Sequence, residues 1–284
     1  MKKLDKHANQ EHVLIFLHIP KAAGSTLHRI IEKQYEPSTI FTIPSFYSSK
    51  EEFRQAAEFQ LKEIKVLKGH MFLGLHEVLP NPSTYITLLR DPVERIISHY
   101  YYVLRTPSHY LYKDVKYKNM SLKEYASSGL SLELDNGQTR LISGFNFPDH
   151  SQPASQEMLE LAKQNIKLHF AVVGIAEEFN KSLMLLKNEF GWSMPFYVKE
   201  NMTKNRPRKE RISKETLDVI RKYNELDIEL YRYAKDIFED MVNQQDASFE
   251  REIKVFNLLN GVYQTYREIY AYSRLAALKM IGRR

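Results

Sequence analysis

Short apolar runs alternate along the chain with longer stretches in which apolar residues recur at helical spacing. The runs are HVLIFLHI at 12–19, KVLKGH at 65–70, STYITLLRDP at 83–92 and HFAVVGI at 169–175. Their apolar residues are largely consecutive, not alternating, as is typical of strands covered on both faces. We therefore predict an α/β fold in which a parallel β-sheet is flanked by helices on both faces and its strands are joined by right-handed crossovers.

The intervening stretches predict helices from Ser25 to about Tyr35, over 49–64 and over 177–191. From Ser213 onward, helical spacing of apolar residues as far as Met241 predicts one long helix. The segment NQQDAS at 243–248 predicts a break, after which a further helix is indicated by the stripe Ile253, Phe256, Leu259, Val262, Tyr266 and Ile269. We expect a domain over 1–242 and a C-terminal helical extension over 243–284, which serves packing or a homodimer; attachment to a membrane surface is the less favoured alternative.

Composition narrows the classes of function. A chain of 284 residues can bury the core of one large α/β domain. Its 41 Lys and Arg against 35 Asp and Glu favour an anionic partner, although a merely basic surface has the same composition. The absence of cysteine excludes disulfides, thiolate zinc sites and a cysteine nucleophile. The polar start MKKLDKHANQEH lacks an apolar signal core, and no run of about 18 apolar residues occurs, so we expect a cytoplasmic protein without a membrane span.

The segment HIPKAAGSTL at 18–27 has the composition of an anion site. A strand that passes through a small-residue turn directly into a helix leaves backbone N–H groups unpaired at the positive end of the helix dipole. Gly24 permits the bend, Ser25 and Thr26 add hydroxyls, and Lys21 supplies a charge for phosphoryl or sulfuryl oxygens. The lysine precedes the glycine, so this is not a Walker A loop. Taken alone, the segment is also compatible with an ordinary strand-to-helix turn.

A second candidate is TLLRDPVERIISHYY at 87–101. Here an apolar strand ends at Arg90, Pro92 opens a helix, and Ser98 lies two turns further along. A site that folds back on itself would bring Arg90 and Ser98 to one phosphate. The structural alternative is an Arg90 side chain paired with Asp91 or Glu94, with Ser98 on the helix surface.

Together the two segments resemble the cofactor-binding signatures of sulfotransferases that use 3′-phosphoadenosine 5′-phosphosulfate (PAPS). The likeness is greatest to the heparan sulfate 2-O/6-O type, sulfotransferase family 2, and it covers residues 12–240, including DNGQTRLISG at 135–144 and NELDIELYRYA at 224–234. The resemblance implies a P-loop-like sheet and a 3′-phosphate site at Arg90 and Ser98. It also implies that the 5′-phosphosulfate is bound by Lys21, Ala23, Gly24, Ser25 and Thr26.

The resemblance further implies transfer of the sulfuryl group from PAPS to a hydroxyl, leaving 3′,5′-ADP (PAP), without a metal. Lys21 would stabilise charge on the bridging oxygen as the S–O bond breaks. A hydroxyl acceptor needs a general base, and KGHMFLGLHEVL at 68–79 offers two histidines. His70, in a Gly-His pair that looks like the catalytic-base segment of the family, is the first candidate, and His76 is the reserve.

Two further segments are candidates for the site. Gln138, Thr139 and Arg140 match a family pattern that contributes to the acceptor or cofactor pocket. The basic run NMTKNRPRKER at 201–211 could close over the donor, with Lys204 and Arg206 as contacts, or it is a solvated loop. Family members that act on glycosaminoglycans are largely luminal and membrane-anchored, whereas this sequence shows no anchor. We therefore expect a soluble, bacterial-type member.

The leading hypothesis is a sulfotransferase acting on a saccharide or glycoconjugate. One alternative is a P-loop-type kinase of a nucleotide or small molecule, although the Walker A lysine and a good strand-end aspartate for magnesium are missing. Another is a non-catalytic binder of acidic glycan. We expect no nucleic-acid partner, because no recognisable module is present.

Overall fold

The computed structural model describes residues 12–43, 49–145, 152–198 and 209–281, and for 271–281 the backbone alone. Its sheet has five strands in the order β2-β3-β1-β4-β5, and every pairing is parallel. The strands are β1 (Val13–Leu17), β2 (Ile40–Thr42), β3 (Val66–Gly69), β4 (Ser83–Leu89) and β5 (Phe170–Ile175). The four predicted strands are confirmed. The sequence did not indicate β2, because this edge strand has only three residues and none is fully buried.

Helices flank this sheet, which confirms the α/β prediction. β1, β3 and β5 are buried at every position, and since successive residues of a strand point to opposite faces, both faces of the sheet are covered. The helices are α1 (Gly24–Gln34), α2 (Lys50–Ala56), α3 (Pro92–Arg105), α4 (Tyr112–Tyr117), α5 (Leu122–Ala126), α6 (Gly137–Ser143), α7 (Gln156–His169), α8 (Phe179–Phe190), α9 (Lys214–Lys222), α10 (Glu225–Asn243) and α11 (Phe249–Ile281). No helix among the described residues is both long and apolar enough to cross a membrane.

The long helix predicted from Ser213 is in fact two helices, α9 and α10, separated at Tyr223 and Asn224. The Asn224 side chain is fully buried and donates to the carbonyl oxygens of Leu134 at 3.1 Å and Ile220 at 3.0 Å. Asparagine readily exchanges helical backbone bonds for bonds of its own side chain. The break between α9 and α10 therefore lies at Asn224, a buried polar residue within an otherwise apolar helical pattern.

The break predicted at 243–248 is confirmed, because α10 ends at Asn243 and α11 begins at Phe249. The first turns of α11 nevertheless belong to the main core, through buried Phe249, Ile253 and Phe256. The core thus extends across the boundary expected between 242 and 243. Further along α11 the predicted stripe leaves the core, and Leu259, Val262, Tyr266 and Ile269 are exposed.

The strand order decides where chemistry can occur. β1 lies between β3 and β4. The loop that begins with His70 follows β3, the Lys21 bend follows β1, and Arg90 follows β4. The carboxyl ends of parallel strands share one edge of a sheet, which is where ligands bind in such folds. The three segments are therefore neighbours at that edge.

Candidate active site

The bend after β1 has an unusual backbone. Lys21 and Ala23 both have left-handed conformations, with φ of 66° and 62°, which side-chain-bearing residues adopt infrequently. α1 begins at the next residue, Gly24, and its first turn has no side-chain cap. The first N–H groups of a helix have no partner within the helix. The Thr26 N–H donates to the carbonyl oxygen of Ala23 at 3.2 Å. The N–H groups of Gly24 and Ser25, with the exposed Ser25 hydroxyl beside them, lie at the positive end of the helix, where anions bind.

Gly24 is required by close packing. A Cβ atom at this position would lie 2.0 Å from ring atoms of His18, which no side chain could tolerate without displacing the ring. His18 is buried beneath the bend and receives a ring contact from His28, whose Nε2 lies 2.9 Å from His18 Nδ1. His18 therefore forms the floor of the bend.

The Arg90 side chain reaches the bend from the neighbouring strand. Its Nη1 donates to the carbonyl oxygen of Lys21 at 3.0 Å, so the two signature segments are in direct contact. Arg90 also lies 3.5 Å from Glu94, as the structural alternative anticipated. Asp91, by contrast, caps α3 by accepting from the Glu94 backbone N–H at 2.8 Å.

Positive charge is concentrated at the bend. The Lys21 ammonium lies 3.9 Å from the centre of the Tyr102 ring, and Arg105 lies over the same ring at 5.6 Å. Burial, followed by repulsion from Arg105 and Arg90, lowers the pKa of Lys21 to about 8. Cations held close enough to disfavour each other's charge are typical of an anion site. Ser98 is buried one turn before Tyr102 on α3, on the side of the helix that faces Lys21.

His70 lies beside the bend with a defined tautomer. Its Nδ1 is 2.8 Å from the carbonyl oxygen of His18, and its ring stacks on the His18 ring at 4.2 Å. A carbonyl can only accept, so Nδ1 carries the proton and Nε2 has the basic lone pair. Burial lowers the pKa of His70, against the opposing effects of the His18 hydrogen bond and of Glu133. The ring is therefore neutral at physiological pH.

His76 lies elsewhere. Its Nδ1 is 3.0 Å from the Tyr85 hydroxyl, and its ring is 4.7 Å from that of His169. Tyr85 is on β4, five residues before Arg90, and His169 directly precedes β5. These contacts place His76 toward the amino ends of the strands, so the structure does not bring the reserve base to the bend.

Gln138, Thr139 and Arg140, predicted to bind substrate, are buried and engaged with the protein itself. The Gln138 carboxamide accepts from the Arg90 backbone N–H and donates to the Arg90 carbonyl oxygen, both at 3.0 Å. Thr139 donates through its N–H and its hydroxyl to the fully buried Asp227. The Arg140 guanidinium pairs with Asp135. Gln138 thus holds the residue after β4 in place, whereas Thr139 and Arg140 bond to other parts of the protein. Their expected contact with the substrate stays a prediction.

Lys204 and Arg206, with residues 201–208 of the basic run, lie outside the described residues.

The structure adds site residues that the sequence did not suggest. Glu133 is buried, and one of its carboxylate oxygens lies 2.7 Å from His99 Nε2. Burial alone would raise the pKa of Glu133, but His99 and Arg95 lower it to about 2. Glu133 also acts electrostatically on both Lys21 and His70.

No local pattern distinguishes Glu133 from other acidic residues, and Tyr102 and Arg105 are two of many helix residues. Their roles become visible only when α3 packs against the bend.

Across the described residues, no group of three or more histidine or acidic side chains is arranged to hold a metal ion.

Comparison with known proteins provides independent evidence. A family model described as "Sulfotransferase family" matches residues 7–234. Heparan-sulfate 6-O-sulfotransferase 1 of Cricetulus griseus is 28% identical over 203 residues, covering 62% of this chain and 48% of that protein. Heparan-sulfate 6-O-sulfotransferase 2 of Homo sapiens is 27% identical over 287 residues, covering 84% and 46%.

A further relative is galactose-3-O-sulfotransferase 2 of Mus musculus, 21% identical over 243 residues, covering 79% of this chain and 61% of that protein. Among solved structures, mouse sulfotransferase SULT7A1 complexed with PAP aligns with a TM-score of 0.40 and 12% identity, over 84% of this chain and 90% of the other. The chain spans about half the length of the heparan-sulfate relatives that it matches.

Proposed function

Because the chain belongs to the sulfotransferase family, we propose that it transfers the sulfuryl group of PAPS to a hydroxyl of a saccharide or glycoconjugate. One observation carries the proposal: Arg90 donates to the carbonyl oxygen of Lys21, so the two signature segments form one continuous surface. The acceptor class is supported by relatives that are named for heparan sulfate and for galactose.

The residues at the bend fit a doubly phosphorylated nucleotide substrate. The uncapped start of α1, with Gly24, Ser25 and Thr26, offers N–H and hydroxyl donors to the 5′-phosphosulfate, and Lys21 adds charge. Arg90, which contacts the bend, and the buried Ser98 are the residues that we assign to the 3′-phosphate. Arg105 contributes to the same positive field. Lys204 and Arg206 remain predicted donor contacts.

The reaction requires a nucleophile, a base and stabilisation of the leaving group. The acceptor oxygen forms a bond to sulfur while the bond from sulfur to the bridging phosphate oxygen breaks. Nε2 of neutral His70 takes the proton of the acceptor hydroxyl. Protonated Lys21 stabilises the negative charge that develops on the departing phosphate oxygen. No step calls for a metal.

The family match and the position of the lysine ahead of the glycine both disfavour the kinase alternative. A non-catalytic binder would not need a neutral histidine of defined tautomer beside the cationic bend. The cytoplasmic location and the bacterial type stay predictions.

The donor assignment is tested by thermal shift with 3′,5′-ADP against 5′-AMP, which lacks only the 3′-phosphate. The 3′-phosphate should give the larger stabilisation, because it adds contacts that only the folded protein makes. Lys21→Ala should abolish transfer from radiolabelled PAPS, and Arg90→Ala should abolish the larger shift. Lys62→Ala, an exposed lysine before the amino end of β3, is the matched control and should change neither. Equal stabilisation by the two nucleotides would refute the donor assignment.

The base assignment is tested separately with His70→Gln. Loss of general-base catalysis should lower kcat by about 10²- to 10⁴-fold, while the affinity for 3′,5′-ADP stays unchanged. His76→Gln should retain activity, because His76 lies away from the bend. Wild-type turnover in His70→Gln would remove His70 from the mechanism without affecting the donor assignment.

A further inference from the structure

The C-terminal helix α11 exposes a set of large apolar side chains on its surface. Seven have at least 43% of their surface exposed: Val255, Leu258, Leu259, Val262, Tyr266, Ile269 and Tyr270. From Thr265 to Tyr270 every residue is exposed. Most of the stability of a helix in a protein comes from the packing of its apolar face. An exposed apolar face on a helix therefore indicates a partner.

The exposed residues form a narrow stripe with heptad spacing. Val255, Val262 and Ile269 recur every seven residues, and Leu259 and Tyr266 fall between them in a 4-3 pattern. This spacing keeps apolar side chains in line along a helix that packs lengthwise against another helix.

The stripe is separate from the face that binds the domain. Ile253 and Phe256 are buried in the core, and Asn260 accepts from the Tyr197 backbone N–H at 2.9 Å. At about 100° per residue, these side chains point roughly 100–160° around the helix axis from the stripe. A partner helix can thus bind the stripe without competing with the domain.

The arrangement of the stripe identifies its occupant. Five of its seven residues are symmetric about Val262: Leu258 and Tyr266 lie four residues to either side, and Val255 and Ile269 lie seven to either side. The mirror positions of Leu259 and Tyr270 are the polar residues Thr265 and Lys254. When two identical helices pack antiparallel with Val262 opposite Val262, each of the five symmetric side chains meets another apolar side chain. A twofold interface requires this self-complementarity. We infer that α11 pairs antiparallel with α11 of a second copy of the chain, about a twofold axis at Val262.

The exposed apolar surface is of the size that a dimer interface uses. Complete burial of the seven side chains would remove on the order of 800 Å² per copy from water, the share of one partner in a standard interface.

The oligomeric state of the full chain provides the first test. Light scattering during size exclusion should give twice the mass of one chain for the wild type and one mass for Val262→Glu. Gly261→Glu is a matched control with the same added charge one residue away. A side chain at Gly261 would meet nothing within 4 Å, and this position points away from the stripe, so the control should remain dimeric. A monomeric wild type at micromolar concentration would overturn the proposal.

Disulfide cross-linking tests the orientation, since the chain contains no cysteine of its own. Val262→Cys should cross-link to itself under mild oxidation. Val255→Cys and Ile269→Cys should cross-link only when the two variants are mixed. Efficient self-linking of Val255→Cys would contradict antiparallel pairing. If the chain is monomeric and instead binds vesicles of phosphatidylcholine and phosphatidylserine through the stripe, the stripe is a membrane surface and the dimer is wrong.

Discussion

Lys21 has two properties that a solvated lysine lacks. Its ammonium lies over the Tyr102 ring, and its pKa is lowered to about 8 by burial and by Arg105 and Arg90. An ammonium group with a pKa of about 8 begins to lose its charge just above neutral pH. Burial also lowers the pKa of His70. Catalysis needs His70 without its proton and Lys21 with its proton, so the two groups favour activity in opposite directions of pH.

The pH dependence of kcat/KM should therefore be bell-shaped. Activity rises as His70 loses its proton, below pH 6.5 because its pKa is lowered from that value. It falls as Lys21 loses its proton near pH 8. Lys21→Arg remains charged throughout this range, so its residual activity should lack the alkaline fall. The measurement is initial rate against pH at low PAPS. An unchanged alkaline fall in Lys21→Arg would show that another group causes it.

Among the elements, α6 has a clear positioning function. Its N-terminal N–H groups, those of Gln138 and Thr139, donate to Asp227 of α10, and the Gln138 side chain bonds both backbone groups of Arg90. Arg90 in turn contacts the Lys21 bend. This series of buried hydrogen bonds connects α10 to the donor surface, so helices remote from the sheet edge determine where Arg90 lies.

Replacing Gln138 should affect the 3′-phosphate site and not the acceptor. Gln138→Leu removes both hydrogen bonds that the carboxamide makes to the Arg90 backbone, each worth about 0.5–1.5 kcal/mol. We expect lower stability and at least tenfold weaker binding of 3′,5′-ADP by calorimetry, with little change for 5′-AMP. Gln164→Leu, an exposed position on α7, should leave both unchanged. A variant that raised only the KM of the acceptor would instead support the direct contact that the sequence suggested.

At the scale of the whole molecule, the core and the C-terminal extension cannot be separated at residue 242. The extension contributes Phe249, Ile253 and Phe256 to the core, and the Phe256 ring stacks with Phe196 at 5.9 Å. The same helix carries the exposed stripe on another face. α11 thus connects the stability of the domain with the association of two chains.

Phe256→Ala should accordingly destabilise the whole domain. Removing a fully buried phenylalanine costs about 3–5 kcal/mol, and urea unfolding should show this loss as a lower midpoint. Lys254→Ala, an exposed position two residues earlier, should change the free energy of unfolding by less than about 0.5 kcal/mol. A chain ending at Asn243 should unfold even more readily than Phe256→Ala. If that shorter chain were as stable as the full one, α11 would be an appendage and not part of the core.

The amino-acid sequence by itself determined the features that depend on neighbouring residues: four buried strands, the uncapped bend at Lys21, the helix start at Pro92 and the break before α11. Apolar runs, small residues and capping residues act over a few positions, so their effects can be predicted locally. The edge strand β2 carries too short a signal, and the division between α9 and α10 depends on the distant contact of Asn224 with Leu134.

Tertiary structure alone decided which polar residues serve the site. It turned Gln138 inward to hold Arg90 and Thr139 inward to bond Asp227, and it moved His76 away from the bend. It also brought Glu133, Tyr102 and Arg105 toward Lys21. It also separated one apolar stripe of α11 into a buried face and an exposed face. The physical reason is that these outcomes depend on contacts between residues far apart in the chain, which only the packing of α3, α6, α10 and α11 on the sheet creates.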